Sequence, residues 1–258
     1  MTDIILRERI APHIELVTLN RPAARNSINA AVTEQLGAIV SATESDDDIW
    51  AVVLTGAGGV AFSAGADLKE VSLGGMSRLY SPTGGFAGFV EARRTKPWIA
   101  AVDGFALAGG FEVVLACELC VASEQATFGL PEVSRGLIAA AGGIYRLTRA
   151  IPRAIAFELI ATAVRIEAAR ALELGLVNRL AKPGETVREA VKLAAAICNN
   201  APLAVRESLR IARQAVDLDD ATLMRLSVEA QGRLSETEDY AEGPRAFLER
   251  REPRWVGR

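Results

Sequence analysis

Two acidic residues, Glu112 and Glu132, stand in the most apolar part of the chain, each close to glycine or proline. Acidic side chains are almost never fully buried without a partner or a purpose. Burial disfavours the charged form of a carboxyl group, so its pKa rises toward the range in which an acid–base catalyst works. Two such groups directed at one cavity would be able to move protons to and from a bound substrate.

Each glutamate also has a structural interpretation. Glu112 could pair with a nearby arginine, and Glu132 could act as a negative partner for a helix dipole. Gly109 and Gly110 open the predicted helix that carries Glu112; they either allow close packing or leave first-turn N–H groups accessible to a developing anion such as an enolate oxygen. Pro131 fixes its own φ, which places Glu132 just inside a rigid turn. The residues alone leave both interpretations open.

A third segment, residues 55–70, contains a glycine pattern of a different kind. Gly56, Gly58 and Ala61 fit the dinucleotide fingerprint G-x-G-x-x-[G/A] directly after an apolar strand. That fingerprint requires a helix to begin there and an acidic residue about 20 positions further on. No amphipathic pattern begins before Leu68, so we favour a turn whose backbone N–H groups face a ligand. A dinucleotide-dependent oxidoreductase is the alternative that this segment leaves open.

Composition limits the class of protein. The chain has 258 residues, of which half are hydrophobic and about a quarter charged, as expected of a globular α/β protein with or without a helical appendage. The net charge is −3 without a block of like charge, so we expect no nucleic-acid groove and no membrane-surface helix. Residues 1–9 carry charges where a signal peptide is apolar. Residues 98–123 contain three acidic residues and three glycines, so we expect no membrane span.

Cysteine and histidine are scarce. Cys117 and Cys120 form a C-x-x-C, which is either a redox pair or two small residues on an apolar face, and the second interpretation is favoured. With Cys198 and the single His13, the chain has no histidine cluster and no convincing thiolate set, so we expect no metal site. Free thiols of this kind are typical of a reducing cytoplasm.

Hydrophobic periodicity predicts an α/β core. Apolar runs bounded by glycine or alternating with polar residues predict a hairpin and three buried strands, and helical spacing predicts two helices between them. Strands that alternate with helices favour a parallel sheet. The predicted strands are residues 4–9, 14–20, 50–55, 98–102 and 119–123, and the predicted helices are residues 29–43 and 110–116.

Two other parts of the chain have a different character. Residues 72–88 are rich in glycine and predict a flexible loop, of the kind that is usually functional or mobile. From residue 185 onward the pattern is helical, with Asp219 or Asp220 and Ser235 or Thr237 as N-caps. Several of these helices are apolar on more than one face, which predicts packing against another subunit. They span residues 187–198, 202–216, 220–234 and 240–251.

These segments, in this order, resemble the crotonase superfamily, the enoyl-CoA hydratase and isomerase family. The likeness extends over nearly the whole chain, and its motif set is highly specific. The matching residues are Asn20-Arg21-Pro22, Asn26, residues 61–69, residues 96–97 with 99–102, Gly104 with Ala106-Leu107, Gly109-Gly110 with Glu112, Phe128-Gly129, Pro131-Glu132, Gly142-Gly143 with Arg146-Leu147, residues 168–177, Glu242-Gly243 and residues 247–251.

The resemblance implies a fold and a ligand. The fold would be α/β, a crotonase spiral of ββα units in residues 1–198, followed by a C-terminal α-helical region in residues 199–258 that builds trimers, often paired into hexamers. The ligand would be an acyl-CoA thioester, whose coenzyme A is part of the substrate, with no separate cofactor. The partner would be further copies of the same chain in a homotrimer or hexamer.

The resemblance also implies roles for individual residues. The backbone N–H groups of Ala66 and Gly109 match the oxyanion hole that holds the thioester carbonyl. Glu112 matches the carboxylate that acts as base on water, and Glu132 matches the one that exchanges the α-proton. The residues implied to contact CoA or substrate are Ala24, Arg25, Ala64, Ala66, Asp67, Leu68, Gly109 and Pro131, with Phe247 and Arg250 reaching a neighbouring subunit's ligand.

Possession of both glutamates favours one reaction within the family. Hydration needs one group to activate water and one to deliver a proton to Cα, whereas a shift of a double bond can use a single carboxylate. We therefore predict an enoyl-CoA hydratase. A Δ3-Δ2-enoyl-CoA isomerase, a carnitinyl-CoA dehydratase and a catalytically idle acyl-CoA-binding protein remain as alternatives.

The chain departs from the family pattern in a few places. The usual third glycine is Ala108, and residues 139–141 are three alanines where Pro-Gly-Ala is more usual. Residues 84–89, 242–247 and 253–258 look like the carnitinyl-CoA dehydratase branch. An enzyme of that branch must seat a quaternary ammonium group, for which an aromatic wall serves. Tyr80, Phe86 and Phe89 are the candidates for that wall, and packing of the loop is the alternative explanation for them.

Overall fold

The computed structural model describes residues 3–258, in which strands and helices alternate as the sequence predicts. Met1 and Thr2, the start of the segment judged unlike a signal peptide, lie outside the described residues. The strands are β1 Ile5–Ala11, β2 Ile14–Leu19, β3 Ala51–Gly56, β4 Ala61–Ser63, β5 Tyr80–Ser81, β6 Gly85–Phe86, β7 Trp98–Val102, β8 Phe105–Leu107, β9 Leu119–Ser123, β10 Thr127–Gly129, β11 Ile166–Glu167 and β12 Arg179–Ala181. The helices are α1 Ala30–Ser45, α2 Leu68–Ser72, α3 Gly109–Ala116, α4 Gly143–Ala150, α5 Arg153–Thr162, α6 Ala168–Glu173, α7 Thr186–Cys198, α8 Pro202–Ala212, α9 Asp220–Leu234 and α10 Glu238–Glu249.

A large sheet forms the backbone of the fold, in the order β1-β2-β3-β7-β9-β12. The predicted hairpin β1–β2 is antiparallel, and the remaining neighbours are parallel. The central strands read as continuous apolar runs because both of their faces are buried. On β3, Val52 and Leu54 face the main core, whereas Ala51 and Val53 face Ala190 and other residues of α7.

A smaller sheet, in the order β11-β10-β8-β4, accompanies the large one. The chain enters the two sheets alternately: β3 is followed by β4, β7 by β8, and β9 by β10, with helical segments after each pair. The result is a spiral of ββα units. Strands β4, β8 and β10 are parallel neighbours, so their carboxyl ends meet at one edge of the small sheet.

Residues 72–88 differ from the flexible loop that their glycines predict. They contain the end of α2, a 3₁₀ turn at Met76–Leu79 and the antiparallel pair β5–β6. Leu79 is fully buried, and its carbonyl accepts hydrogen bonds from Ala87 N (2.9 Å) and Thr33 Oγ1 (3.3 Å). Gly85 and Gly88 supply the positive φ values that a compact turn requires, so here the glycines shape an ordered loop.

The C-terminal helices confirm the helical prediction but shift some of its boundaries, chiefly at the end of α8 and at both ends of α10. Helix α8 ends at Ala212, because the following residues close three-residue turns, such as Ala215 N to Ala212 O at 3.2 Å. Helix α10 starts at Glu238, where the Thr237 side chain accepts a hydrogen bond from Tyr240 N, and ends before Arg250, which has φ 53°. In residues 3–258, no helix combines the length and apolarity that a membrane crossing requires.

Candidate active site

The three segments singled out in the sequence each follow a strand of the small sheet. Residues 64–68 follow β4, the N-terminus of α3 follows β8, and a 3₁₀ turn at Pro131–Arg135 follows β10. Because these strands are parallel neighbours, all three segments lie at the same edge. In sheets of this kind ligands bind outside the carboxyl ends of the strands, so this edge is the candidate site.

The turn after β4 presents the Ala66 N–H outward. Ile28 bonds to the backbone on both sides of Ala66: Ile28 N donates to Gly65 O, and Asp67 N donates to Ile28 O, both at 2.8 Å. Gly65 has φ +85°, and a Cβ there would lie 2.7 Å from Gly109 N, so only glycine fits. Among the described residues the Ala66 N–H has no acceptor within the protein.

The second free donor is the Gly109 N–H at the start of α3. It also lacks an acceptor within the described part of the chain, and the proximity of Gly65 places it beside the turn that carries Ala66. The preceding Ala108 has φ 52° and ψ −132°, a conformation that alanine rarely adopts. Two adjacent backbone donors, one of them at a helix N-terminus, form a site that stabilises negative charge on oxygen.

Glu112 lies on the first turn of α3 with 3% of its surface exposed. Its Oε1 accepts a hydrogen bond of 2.9 Å from Gly143 N, and a Cβ on Gly143 would come within 3.0 Å of that oxygen. Burial raises the pKa of Glu112 to about 7; the Gly143 N–H opposes this shift and the charge of Glu132 adds to it. The arginine pairing that the sequence left open is not formed, since Arg146 donates to Ala141 O and Val90 O instead.

Glu132 is the second residue of the 3₁₀ turn that Pro131 begins. Its side chain is buried, and its Oε2 has no hydrogen-bond partner among the described residues. Burial raises the pKa of Glu132, and the nearby Arg135 opposes that shift. Both carboxyl groups therefore hold a proton more readily than an exposed glutamate, and the charge of Glu132 makes ionisation of Glu112 still less favourable.

Aromatic residues of the ordered loop lie next to Gly109. The ring of Phe86 lies over Gly109, because a Cβ on that glycine would fall 2.6 Å from two ring atoms. Tyr80 meets Phe86 edge-on with ring centroids 5.6 Å apart. Burial raises the pKa of Tyr80, and the charge of Glu112 raises it further, which places Tyr80 near the carboxyl pair.

Phe89, the third candidate for this wall, belongs to the core. It is fully buried, packs against Trp98 with ring centroids 5.0 Å apart, and has the Arg94 guanidinium 3.9 Å from its ring centroid. For Phe89 the structure therefore supports packing rather than a substrate-facing wall. The sequence could show that an aromatic residue follows Gly88 but not the direction in which its ring points.

Comparison with known proteins places this geometry in a family. The family model described as enoyl-CoA hydratase/isomerase matches residues 9–258. The chain belongs to the enoyl-CoA hydratase/isomerase family. It is 38% identical to the short-chain-enoyl-CoA hydratase of Clostridium acetobutylicum, with 92% of each chain covered. It is also 38% identical to the carnitinyl-CoA dehydratase of Proteus mirabilis, with 94% of each covered. A solved enoyl-CoA hydratase from Mycobacterium tuberculosis H37Rv superposes with a TM-score of 0.94 at 42% identity, covering 99% of both chains.

The family match confirms the predicted crotonase fold, and the two-sheet alternation described above is its ββα spiral. It also explains why the dinucleotide fingerprint at Gly56 misleads. After Gly56 the chain turns into β4 rather than a helix, and the first helix to follow is the five-residue α2 at Leu68–Ser72. The division of the chain between residues 198 and 199 stays a prediction.

The residues that the family implies for coenzyme A lie together around the Ala66 turn. Ala24 ends a 3₁₀ turn, and Arg25 follows it with φ 53° and an exposed side chain. Ala64 N donates to Arg25 O at 3.0 Å, which joins this turn to the one that carries Ala66. Leu68 is 59% exposed beside them. The structure thus brings these positions into one surface, and their contact with CoA stays a prediction.

Two further implied residues lie elsewhere. Phe247, on α10, is 82% exposed, and Arg250 ends that helix in a left-handed conformation. A single chain presents them to solvent, as expected if they serve a neighbouring subunit, and this role stays a prediction.

The charged cavity of about 400 Å³ next to α10 is not a substrate site of the predicted kind: Glu242 in its wall already pairs with Arg245 and Arg251.

The cysteines take structural positions. Cys117 ends α3, and Cys120 lies in β9, where a helix meets a strand, as the favoured interpretation predicts. Burial raises the pKa of both thiols, so neither is a thiolate near neutral pH. Within residues 3–258, no group of three or more His, Cys, Asp or Glu side chains is arranged to hold a metal ion.

Some site residues escaped prediction. The sequence placed Gly143 among the family motifs, but gave no sign that its N–H anchors Glu112. It gave no sign that Ile28 fixes both sides of Ala66. The predicted contact of Asp67 with substrate stays a prediction, and its carboxylate bonds to Arg21 Nη2 at 2.9 Å and to Lys69 N at 3.1 Å, a pairing that the sequence analysis did not identify. The signal that could have found this pairing is the joint presence of Arg21 and Asp67 in the family motifs.

Proposed function

We propose that this chain is an enoyl-CoA hydratase, which adds water to a trans-2-enoyl-CoA and gives a 3-hydroxyacyl-CoA. The observation that carries the proposal is a pair of buried carboxyl groups with raised pKa values beside two free backbone N–H groups. This is the set of groups that addition of water to a conjugated thioester requires. The names of the hydratases that it resembles support the same reaction.

The first step is polarisation of the thioester carbonyl. The N–H groups of Ala66 and Gly109 donate to its oxygen and stabilise the enolate that forms when Cβ is attacked. Backbone donors that are already in position stabilise this charge strongly in a water-poor site. Removal of one such donor lowers the rate by roughly 10²–10³-fold. The N-terminal position of Gly109 on α3 adds the favourable end of the helix dipole.

The second step moves two protons. Ionised Glu112 removes a proton from water as the oxygen bonds to Cβ, and protonated Glu132 delivers its proton to Cα. The hydroxyl and the proton add to the same face, because both carboxyl groups line one edge of the sheet. A pKa of about 7 for Glu112 keeps a large fraction of both protonation states available near neutral pH. No metal and no redox cofactor enters this scheme.

Assembly is part of the proposal. We infer a homotrimer, or a hexamer of two trimers, in which the C-terminal helices pack against other copies. Large apolar side chains that are 64–82% exposed on these helices support it, among them Met224, Val228 and Phe247. A reducing cytoplasm, inferred from free thiols, also remains a prediction.

A carnitinyl-CoA dehydratase is the second candidate, because one observation favours it. Several relatives that are 36–38% identical and cover at least 94% of the chain bear that name. The Tyr80–Phe86 pair over Gly109 could supply the aromatic face that a quaternary ammonium group needs. The isomerase and the idle acyl-CoA binder have no such observation in their favour.

A panel of acyl-CoA esters tests the proposal. Crotonyl-CoA, longer 2-enoyl-CoA esters, 3-enoyl-CoA and crotonobetainyl-CoA are each assayed with the wild-type chain and with Glu112→Gln. We expect hydration of crotonyl-CoA and a loss of at least ~10²-fold in Glu112→Gln, the usual range for a general acid–base group. Glu173→Gln, at an exposed glutamate of α6, is the matched control and keeps full activity. Wild-type rates in Glu112→Gln would contradict the assigned roles, and turnover of 3-enoyl-CoA or crotonobetainyl-CoA alone would favour the alternatives.

A further inference from the structure

An ion pair behind the oxyanion hole fixes the turn that carries Ala66. We propose that Arg21 and Asp67 are positioning residues, which hold the Ala66 N–H in its donating direction and couple it to the turn at Arg25. The inference rests on the proposed function, since it concerns how the same site is held ready. Neither side chain is assigned a contact with the reacting atoms.

The pair is well enclosed and has more than one bond. Arg21 Nη2 lies 2.9 Å from Asp67 Oδ2, with 20% and 14% of the two side chains exposed. Arg21 Nη1 also donates to Ser27 O at 2.6 Å, and Ser27 Oγ donates to the same Asp67 oxygen at 3.3 Å. An enclosed pair of this kind, supported by neighbouring hydrogen bonds, holds its geometry better than an exposed one.

The carboxylate of Asp67 holds the start of α2, and its backbone holds the peptide unit after Ala66. Its Oδ1 accepts from Lys69 N at 3.1 Å and so caps α2, while Asp67 N donates to Ile28 O at 2.8 Å. The chain is thus fixed on one side of Ala66 by backbone and side chain together. Burial alone would raise the pKa of Asp67, but Arg21 and the Lys69 N–H outweigh it and lower that pKa, so the group is charged during catalysis.

Arg21 joins this unit to the turn that the family implies for coenzyme A. Arg21 N donates to Asn26 Oδ1 at 3.0 Å, and Asn26 follows Arg25 with a second positive φ of 52°. Asn26 Nδ2 donates to Ala61 O at 2.7 Å, and Ala64 N donates to Arg25 O at 3.0 Å. The turn at Arg25 and the Ala66 turn are therefore one hydrogen-bonded body.

A rigid connection of this kind has a catalytic consequence. Binding energy from a remote, unreactive part of a substrate can be used to orient groups at the reacting centre. Coenzyme A bound at the Arg25 turn would contact the same hydrogen-bonded unit that orients the Ala66 N–H. A shift of about 1 Å in such a donor can lower the rate roughly 10²-fold.

Asp67→Asn tests the proposal, because it keeps the shape of the side chain and removes the charge. We expect kcat for crotonyl-CoA to fall by about 10- to 100-fold while KM changes by less than about threefold, the pattern of a lost transition-state interaction. We also expect the rate advantage of the CoA thioester over the matching pantetheine thioester to shrink. Asp217→Asn is the control, since it breaks an Arg–Asp pair of the same 2.9 Å length with Arg149 on the surface.

A spectroscopic measurement separates positioning from general destabilisation. In a Glu112→Gln background, in which turnover is slowed at least ~10²-fold, the C=O stretch of bound crotonyl-CoA shifts to lower frequency when two donors polarise it. We expect Asp67→Asn to reduce that shift and Asp217→Asn to leave it unchanged. The proposal is overturned if the carbonyl shift and kcat of Asp67→Asn match those of the parent within about twofold, or if Asp217→Asn lowers kcat as much as Asp67→Asn does. A wild-type chain without hydratase activity would instead overturn the proposed function, and the carbonyl band would still report on the pair.

Discussion

Replacement of Glu112 by glutamine should stabilise the folded protein at high pH while abolishing its activity. The pKa of Glu112 rises from an ordinary value of 4.5 to about 7, chiefly because the side chain is buried. A group whose pKa is raised by folding contributes stability that is fully present below its unfolded pKa and is lost as pH rises through the folded value. At pH 8 the wild-type protein therefore carries a penalty of about 3 kcal/mol for the ionised carboxylate, at roughly 1.4 kcal/mol per pKa unit. The glutamine amide has no such charge to bury.

The assay is thermal unfolding of wild type and Glu112→Gln between pH 5 and pH 8 at fixed protein concentration. The difference between the two melting temperatures should widen in favour of the variant as pH rises, by roughly 5–10 °C in a chain of this size, because about 2.5 kcal/mol of the penalty develops between pH 5 and pH 8. Glu173→Gln removes an exposed carboxylate from α6 and should show no such widening. A difference that is the same at pH 5 and pH 8 would refute the idea that the protein pays to ionise Glu112.

The ionisation of Glu112 can also be followed through the pH dependence of kcat/KM. If ionised Glu112 is the base that acts on water, kcat/KM for crotonyl-CoA should fall about tenfold per pH unit below an apparent pKa near 7. Agreement between the kinetic and the stability midpoints would tie the activity to the group that destabilises the fold. If kcat/KM instead fell below an apparent pKa near 4.5, the group that controls activity would not be the buried carboxyl group that destabilises the fold.

Two further predictions concern the neighbourhood of the site and the chain end. Ala108 has φ 52° and ψ −132°, so Ala108→Gly should relieve roughly 1–3 kcal/mol of backbone strain, while the greater freedom of glycine in the unfolded chain costs about 0.4–1 kcal/mol. The melting temperature should therefore rise while activity is retained. A lower melting temperature would contradict this prediction. Buried Asp239 accepts from Val256 N at 2.7 Å and Gly257 N at 3.0 Å, so Asp239→Ala should cost about 1–3 kcal/mol and expose residues 251–258 to limited proteolysis, with Asp217→Ala as the control.

Five of the six strands of the large sheet could be predicted from the sequence, and β12 at Arg179–Ala181 could not. Trp98–Val102 and Leu119–Ser123 match the predicted bounds because an unbroken apolar run of this length has few alternatives when both faces are buried. The ordered structure of residues 72–88 could not be predicted, because glycines in a sequence indicate conformational freedom. In the structure, Gly85 and Gly88 use their positive φ to build a compact turn on buried Leu79.

The candidate site, too, could be predicted only in part. Glu112, Glu132 and their glycines were identifiable as a chemical possibility, yet their convergence depends on β8 and β10 being parallel neighbours, which spacing along the chain does not specify. The anchor at Gly143 and the bridge through Ile28 are backbone contacts, and backbone contacts leave no mark on residue type. Family resemblance supplied the roles, and the structure supplied the physical reason that they are compatible.

The two carboxyl groups are held differently, and this asymmetry bears on their roles. Glu112 keeps one oxygen on Gly143 N, which favours its charged form and limits its motion, as suits a base that must face water in one orientation. Glu132 Oε2 is buried without a partner in the described chain, an arrangement that disfavours the charged form. In the proposed scheme Glu132 carries the proton that is delivered to Cα, and its unpartnered oxygen leaves it free to donate to a ligand. The Gly143 N–H holds Glu112 in one orientation, so the difference in hydrogen bonding suits the two roles proposed for hydration.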